Sequence, residues 1–207
     1  MTVSRSIPKQ ITVLIDTREK IPLLFPKTIS WHLSSRSFRY INVKTERKHL
    51  KTADYYLKNH GATCMIERKG SIAELHQNTT VDRGRCRRAL DRLAQATIHP
   101  YVLLDGTAAT FLRPSPHVAN PQRALQFFLE DCVSREIAIL WLGGGSTRPA
   151  RIKVGTALLQ ILLSHIFHLT VPKPSRILPS VAKMATKKKK GSFNGPRNLR
   201  RVRTPDL

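Results

Sequence analysis

The stretch Cys64-Met65-Ile66 runs without a break into Glu67-Arg68-Lys69. A short apolar run ending in charge fits a strand that leaves a buried sheet and delivers polar groups at its end. The strand period of two sets Glu67 and Lys69 on one face and Arg68 on the other. A carboxylate beside an ammonium suits metal-assisted phosphate chemistry: the carboxylate holds the cation, and the lysine steadies the attacking water or the phosphate charge. Three residues are a weak signal, so the surrounding chain has to supply a sheet and further acidic groups.

It offers both. Ile11-Thr12-Val13-Leu14-Ile15 reads as a second buried strand, ending at Asp16-Thr17-Arg18-Glu19. Charged residues at such a strand end lie where open α/β sheets place their ligands, although an Asp there also serves simply to cap a turn. Residues 20–38, with Pro22 and Pro26, read as a connecting loop, and Tyr40 to Thr45 alternates like a strand. Lys58-Asn59-His60-Gly61 is a turn signal between Leu50–Leu57 and the strand carrying Glu67. A turn centred near residues 60 and 61 puts Asp54 opposite Glu67, with facing Cβ atoms about 5 Å apart. Two carboxylates at that separation repel unless a cation lies between them. Mg²⁺ or Mn²⁺ fits, and Asp16 would supply a third carboxylate. The competing picture is a solvated hairpin whose charges point apart.

Ser71 and Glu74 form a capping box that opens a helix, which gives Glu74 a structural role. From Val81 to Ile98, Cys86, Ala89, Leu90, Leu93 and Thr97 follow helical spacing. The other side carries Arg83, Arg85, Arg87, Arg88 and Arg92, too one-sided for an ordinary solvated face and expected to meet phosphates. Residues 100–106 read as a strand and 107–119 as a loop. Asn120-Pro121 opens a helix that runs to about Arg135, and Ile137 to Leu142 is a further strand. No Gly-Lys-Ser/Thr follows Gly143-Gly144-Gly145-Ser146, so the phosphate-loop pattern is absent and the stretch reads as a turn. The helix over 150–169 is apolar on most of its circumference, which suggests a subunit interface beyond the core. Its run Val154 to Leu169 is short for a bilayer span, so no membrane partner is expected.

The 207-residue chain carries 36 Lys and Arg against 13 Asp and Glu, a net charge of +23. Such self-repulsion points to a polyanionic partner. Residues 172–207 hold 11 Lys and Arg against Asp206 alone, including Lys187, Lys188, Lys189 and Lys190. They read as a disordered basic tail after a domain spanning 11–171, with a loose segment at 1–10. Three cysteines without paired spacing argue against a disulfide or zinc framework and for an intracellular setting: cytoplasm or nucleoid in a bacterium or phage, nucleus in a eukaryote.

Val13-Leu14-Ile15-Asp16-Thr17-Arg18-Glu19, Thr52-Ala53-Asp54-Tyr55 and Ile66-Glu67-Arg68-Lys69 resemble the nuclease domain of the XPF-type structure-specific endonucleases. Gly84-Arg85 and Tyr101 to Gly106 follow in the order of that family. The resemblance covers roughly residues 10–110, and the short chain looks like a phage or prokaryotic stand-alone member. It implies an α/β fold of the restriction-endonuclease-like PD-(D/E)XK kind, a central mixed sheet flanked by helices. It implies cleavage of branched or single/double-strand-junction DNA (junctions, flaps, forks, a Holliday junction among them) with Mg²⁺ or Mn²⁺, and a homodimer formed through the last helix. By motif the catalytic set is Asp16, Glu19, Asp54, Glu67 and Lys69, and the metal site Asp16, Asp54, Glu67 and Arg68. DNA contacts fall to Arg18, Arg68, Arg83, Arg85, Arg87 and Arg88, and to Lys187 through Lys190. Ala53 stands where the family has Gly, and Ala73 where it has Asp. Two other readings remain: a DNA-binding scaffold with a degenerate site, and a generic basic RNA- or ribosome-binding protein.

Overall fold

The computed structural model describes residues 7–144 and 147–167. The expected mixed α/β sheet with flanking helices is observed. Seven strands lie in the order β2-β3-β1-β4-β5-β6-β7. They are β1 (Gln10–Asp16), β2 (Thr28–Ser34), β3 (Ser37–Lys48), β4 (Tyr55–Leu57), β5 (Cys64–Lys69), β6 (His99–Asp105) and β7 (Ala138–Leu142). β1 runs parallel to β3, and β5, β6 and β7 run parallel to one another. The short β4 joins the two halves, antiparallel to both β1 and β5.

The apolar runs end where the sequence places them. β1 is buried from Val13 to Asp16, and β5 and β6 deliver Lys69 and Asp105 at their C-terminal ends. β1 and β5 flank the short β4, β6 lies beyond β5, and the C-terminal halves of these three strands carry the acidic residues. The segment 20–38 is not only a loop. It contains β2, which pairs with β3 as an antiparallel hairpin. β2 escapes a periodicity reading because Ile29 is its only fully buried residue.

One face of the sheet is covered by α5 (Arg148–Phe167), whose Val154, Leu158, Leu159, Leu162 and Leu163 pack with Val13, Ile15, Ile41 and Ile66. Each such side chain contributes about 1.5–3 kcal/mol through burial. α5 is long and apolar enough by composition to cross a membrane, yet this face is core. Gly155 is required there, because a Cβ would meet the Leu24 carbonyl. The opposite face is covered by α1 (Ile72–Thr79), α2 (Arg83–Ala96) and α4 (Pro121–Val133), which meet Val102 and Leu104; the short α3 (Ala108–Phe111) adds Phe111 to this core. Asn120 caps α4 as its sequence predicts, accepting from Arg123 N at 3.0 Å. Cys64, Cys86 and Cys132 are free and buried. Burial pushes the thiols of Cys64 and Cys132 up to about 12, which leaves them unreactive.

Candidate active site

The β4–β5 pairing puts Tyr55 across from Ile66. Just before β4, Asp54 N donates to Ile66 O at 3.0 Å, which ties Asp54 to β5 one residue out of that register. Asp54 and Glu67 are brought to one cavity. Asn59 takes the positive φ of the turn, at 67°. Arg68 N donates to Asp54 Oδ2 at 2.7 Å, which fixes that carboxylate against β5.

Asp54, Glu67 and Lys69 line one cavity of about 330 Å³ together with Arg18, Glu74, Arg85 and Arg92. Lys69 is buried to 10% side-chain exposure. Its Nζ donates to Glu67 Oε1 at 2.9 Å and to Glu74 Oε1 at 3.1 Å. Burial works to lower the Lys69 pKa, but the charges of Glu67 and Glu74 override it and hold the ammonium protonated above its ordinary range. Burial and then the charge of Glu67 push Asp54 well above the usual carboxylate range, against the pull of Arg68 N. Two carboxylates so placed disfavour each other's ionisation, and burial adds to that effect at Asp54.

Several expected members stand elsewhere. Asp16 is fully buried, and its carboxylate is taken by Arg18: Oδ1 accepts from the backbone N at 2.8 Å and Oδ2 from Nε at 2.9 Å, with Nη2 also bound to Oδ2. Burial favours its neutral form, but those bonds outweigh it and leave its pKa lowered. Asp16 thus anchors Arg18 instead of completing a three-carboxylate set. Among the described residues no group of three or more His, Cys, Asp or Glu is spaced to hold a metal ion.

Glu19 and Arg68 form a separate network on the other side of β5. Arg68 Nη1 donates to Glu19 Oε2 at 2.8 Å, while its Nε and Nη2 reach Asp105 Oδ2 at 2.8 and 2.6 Å. Tyr55 Oη donates to Glu19 at 3.2 Å. A guanidinium has only donors, so the Arg68 side chain is no metal ligand, and these bonds withdraw it from DNA contact. Glu19 lies with it on a larger cavity of about 820 Å³, which shares Arg18 and Glu74 with the Lys69 cavity. Asp105 was missed as a site residue, although an acid ending a buried strand is the same signal that marks Asp16.

Glu74 is corrected in the other direction. Ser71 Oγ accepts from Glu74 N at 3.2 Å, so the N-cap forms. The Glu74 carboxylate instead accepts from Gly70 N at 3.0 Å and holds Lys69. It is therefore part of the cavity. The arginine face of α2 divides. Arg85 and Arg92 line the acidic cavity, and Arg88 is exposed. Arg87 is bound to the buried Asp131 of α4 at 2.7 Å, and Arg83 lies 4.0 Å from the same carboxylate and over the Phe127 ring. These two latch α2 to α4 and are not freely presented to phosphates. Lys187, Lys188, Lys189 and Lys190 lie outside the described residues, as does the whole of the basic tail.

The fold and site define an α/β domain whose strand ends gather a carboxylate pair and a lysine in a basic rim. No protein-family model matches the sequence, and no curated protein matches it significantly. Among solved structures, the chain is similar to XPF from Aeropyrum pernix, at 14% identity over 72% of this chain and 60% of that one, with a TM-score of 0.47. It is likewise similar to the complex of XPF from Aeropyrum pernix with DNA, at 15% identity over 73% and 66%, with a TM-score of 0.44. The chain thus spans less than two thirds of either structure.

Proposed function

We propose that the protein is a metal-dependent endonuclease that hydrolyses phosphodiesters in branched DNA. The reading rests on one observation: Asp54, Glu67 and Lys69 share a cavity whose rim holds Arg18, Arg85 and Arg92. Mg²⁺ is commonly held by one or two carboxylates, with water and substrate phosphate completing its shell. Asp54 and Glu67 therefore fit Mg²⁺ or Mn²⁺ without Asp16. When bound, the ion supplies Lewis-acid charge to the phosphate and favours ionisation of the attacking water.

The chain's own residues carry the remaining work. Lys69, held protonated, presents positive charge where the phosphate becomes more negative in the transition state. Glu74 and Gly70 N fix the position of that lysine. Arg18, pinned by Asp16 and by Leu50 O at 2.9 Å, is 59% exposed and free at its rim to meet a phosphate. Arg85 and Arg92 do the same from α2. The basic tail adds sequence-independent grip, and the half-buried Ile161 and Ala157 of α5 would serve a homodimer. A protein with buried free thiols belongs in a reducing, intracellular setting.

The test incubates the full chain with a labelled four-way junction, a flap and a plain duplex, with Mg²⁺, Mn²⁺ or EDTA. Metal-dependent cutting of the branched substrates, abolished in Glu67→Ala, supports the proposal. The second reading, a catalytically silent DNA-binding scaffold, draws on the Lys69–Glu67 ion pair and on the absence of a three-ligand cluster among the described residues. Tight metal-independent binding with no cleavage by any of the three substrates would establish it instead.

A further inference from the structure

The sheet has an open face that the site chemistry does not use. On β3, Phe38, Tyr40, Asn42, Lys44 and Lys48 share the face opposite the fully buried Ile41. Tyr40 is 68% exposed and Phe38 48%, large values for rings on a sheet. They stand edge to face at 5.2 Å, and His32, paired with Phe38 across the hairpin, adds a third ring at 5.6 Å. The same face continues toward the cavity, because Lys48 is the register partner of Asp16 in β1. Its carboxylate Glu46 is held by Lys58 at 2.8 Å and also feels Lys48, so against Lys44, Lys48 and Lys58 the face stays net positive.

We propose that this face binds single-stranded nucleic acid, with bases stacked on Phe38 and Tyr40 and the backbone led past Lys44 and Lys48 to the Asp16 end of the sheet. Exposed rings interleaved with lysines on a pleated surface suit unpaired bases, whose faces a duplex hides. Phe38 to Lys48 spans roughly 30 Å of strand, room for a strand at the short end of the about 4 to 16 nucleotides such platforms hold. The inference deepens the nuclease reading by giving an unpaired arm of the substrate a place on the domain, the outer face of β3. It rests on that reading only for where the strand leads, since the binding itself needs no metal and no cleavage.

The experiment measures anisotropy of labelled oligothymidylate and of a duplex of equal length, in EDTA, over a salt series that suppresses the basic tail. Phe38→Ala/Tyr40→Ala is expected to weaken single-strand binding about tenfold per ring and to spare the duplex. Equal losses on both ligands, or no loss, overturn the proposal. Photocrosslinking of a 5-iododeoxyuridine oligomer to the wild-type chain reads the same contact without mutation. Adducts within residues 37–48 support it, and adducts confined to residues 172–207 overturn it. If light scattering shows a dimer that the double variant dissociates, a second copy covers this face and the proposal falls. Failure of cleavage with binding intact would overturn the nuclease reading alone.

Discussion

Lys69 Nζ lies 2.9 Å from Glu67 Oε1, two residues earlier on the same strand. The pleat makes the two side chains neighbours on one face, so the contact follows from local geometry. Because Glu67, Glu74 and Asp54 all surround the ammonium, its removal does two things. Under the proposed mechanism, Lys69→Ala lowers turnover by about 10²–10³-fold, the usual cost of one transition-state donor. Its effect on DNA affinity is much smaller, because Arg18, Arg85 and Arg92 remain. Single-turnover rates and binding isotherms measured side by side check this; an equal loss in both would make Lys69 a binding group only.

Asp54 has a predictable pH signature. Its folded pKa is raised by burial and by Glu67, so between the ordinary carboxylate value and that raised value the native state binds more protons than the unfolded chain. Stability is then greatest below the unfolded pKa and declines as pH rises through the folded one. Thermal melts of metal-free protein should show this decline flattened in Asp54→Asn, and the variant more stable than wild type near neutral pH. Added Mg²⁺ or Mn²⁺ should raise the melting temperature of wild type and leave Asp54→Asn and Glu67→Gln unmoved. A melting temperature indifferent to both ions in wild type would remove the metal from the proposal.

What the sequence made legible was local. The turn at residues 58–61 set the β4–β5 register, and the two apolar runs ending at Asp16 and Lys69 set two strand ends of the site. What it hid was long-range. Arg68 finds Asp105 at a separation of 37 residues and Arg87 finds Asp131 at 44. Neither partner could be read from spacing, so both arginines looked available to phosphate. Glu74 misled in another way. The capping-box pattern located the helix start correctly, but a glutamate at that position has a choice of donors, and here it takes Gly70 N and Lys69.

The division of the α2 arginines makes a comparison possible. Arg87 engages Asp131, a carboxylate 6% exposed at its side chain, which Arg135 also approaches at 3.6 Å. Arg88 is exposed and has no ion pair among those the described residues form. Arg87→Ala should therefore lower the melting temperature, because it leaves a buried carboxylate with fewer partners. Arg88→Ala should leave it unchanged and weaken DNA binding, with a shallower dependence of affinity on salt. Differential scanning fluorimetry and a salt titration separate the two; matching behaviour of the pair would contradict the latch.

Ala53 precedes Asp54 with a φ of 64°, in the left-handed region, and is only 4% exposed. A side chain there costs about 1–2 kcal/mol relative to glycine, whose greater freedom in the unfolded chain returns about 0.4–1 kcal/mol of that difference. Ala53→Gly also removes a buried methyl group worth about 0.8 kcal/mol, so it should change stability by less than about 1 kcal/mol either way. Ala53→Val should destabilise it by more, since a β-branched side chain tolerates positive φ worst. The strain sits one peptide from the Asp54 carboxylate and beside the Asp16 N to Asp54 O bond of 2.9 Å. Relaxing it therefore also tests whether the carboxylate is held in place by the strained turn or by Arg68 N. Urea unfolding gives the stability change, and the Mg²⁺ concentration needed for half-maximal cleavage gives the second answer. If Arg68 N is the clamp, that concentration stays the same in Ala53→Gly; a changed metal requirement would assign the positioning to the turn.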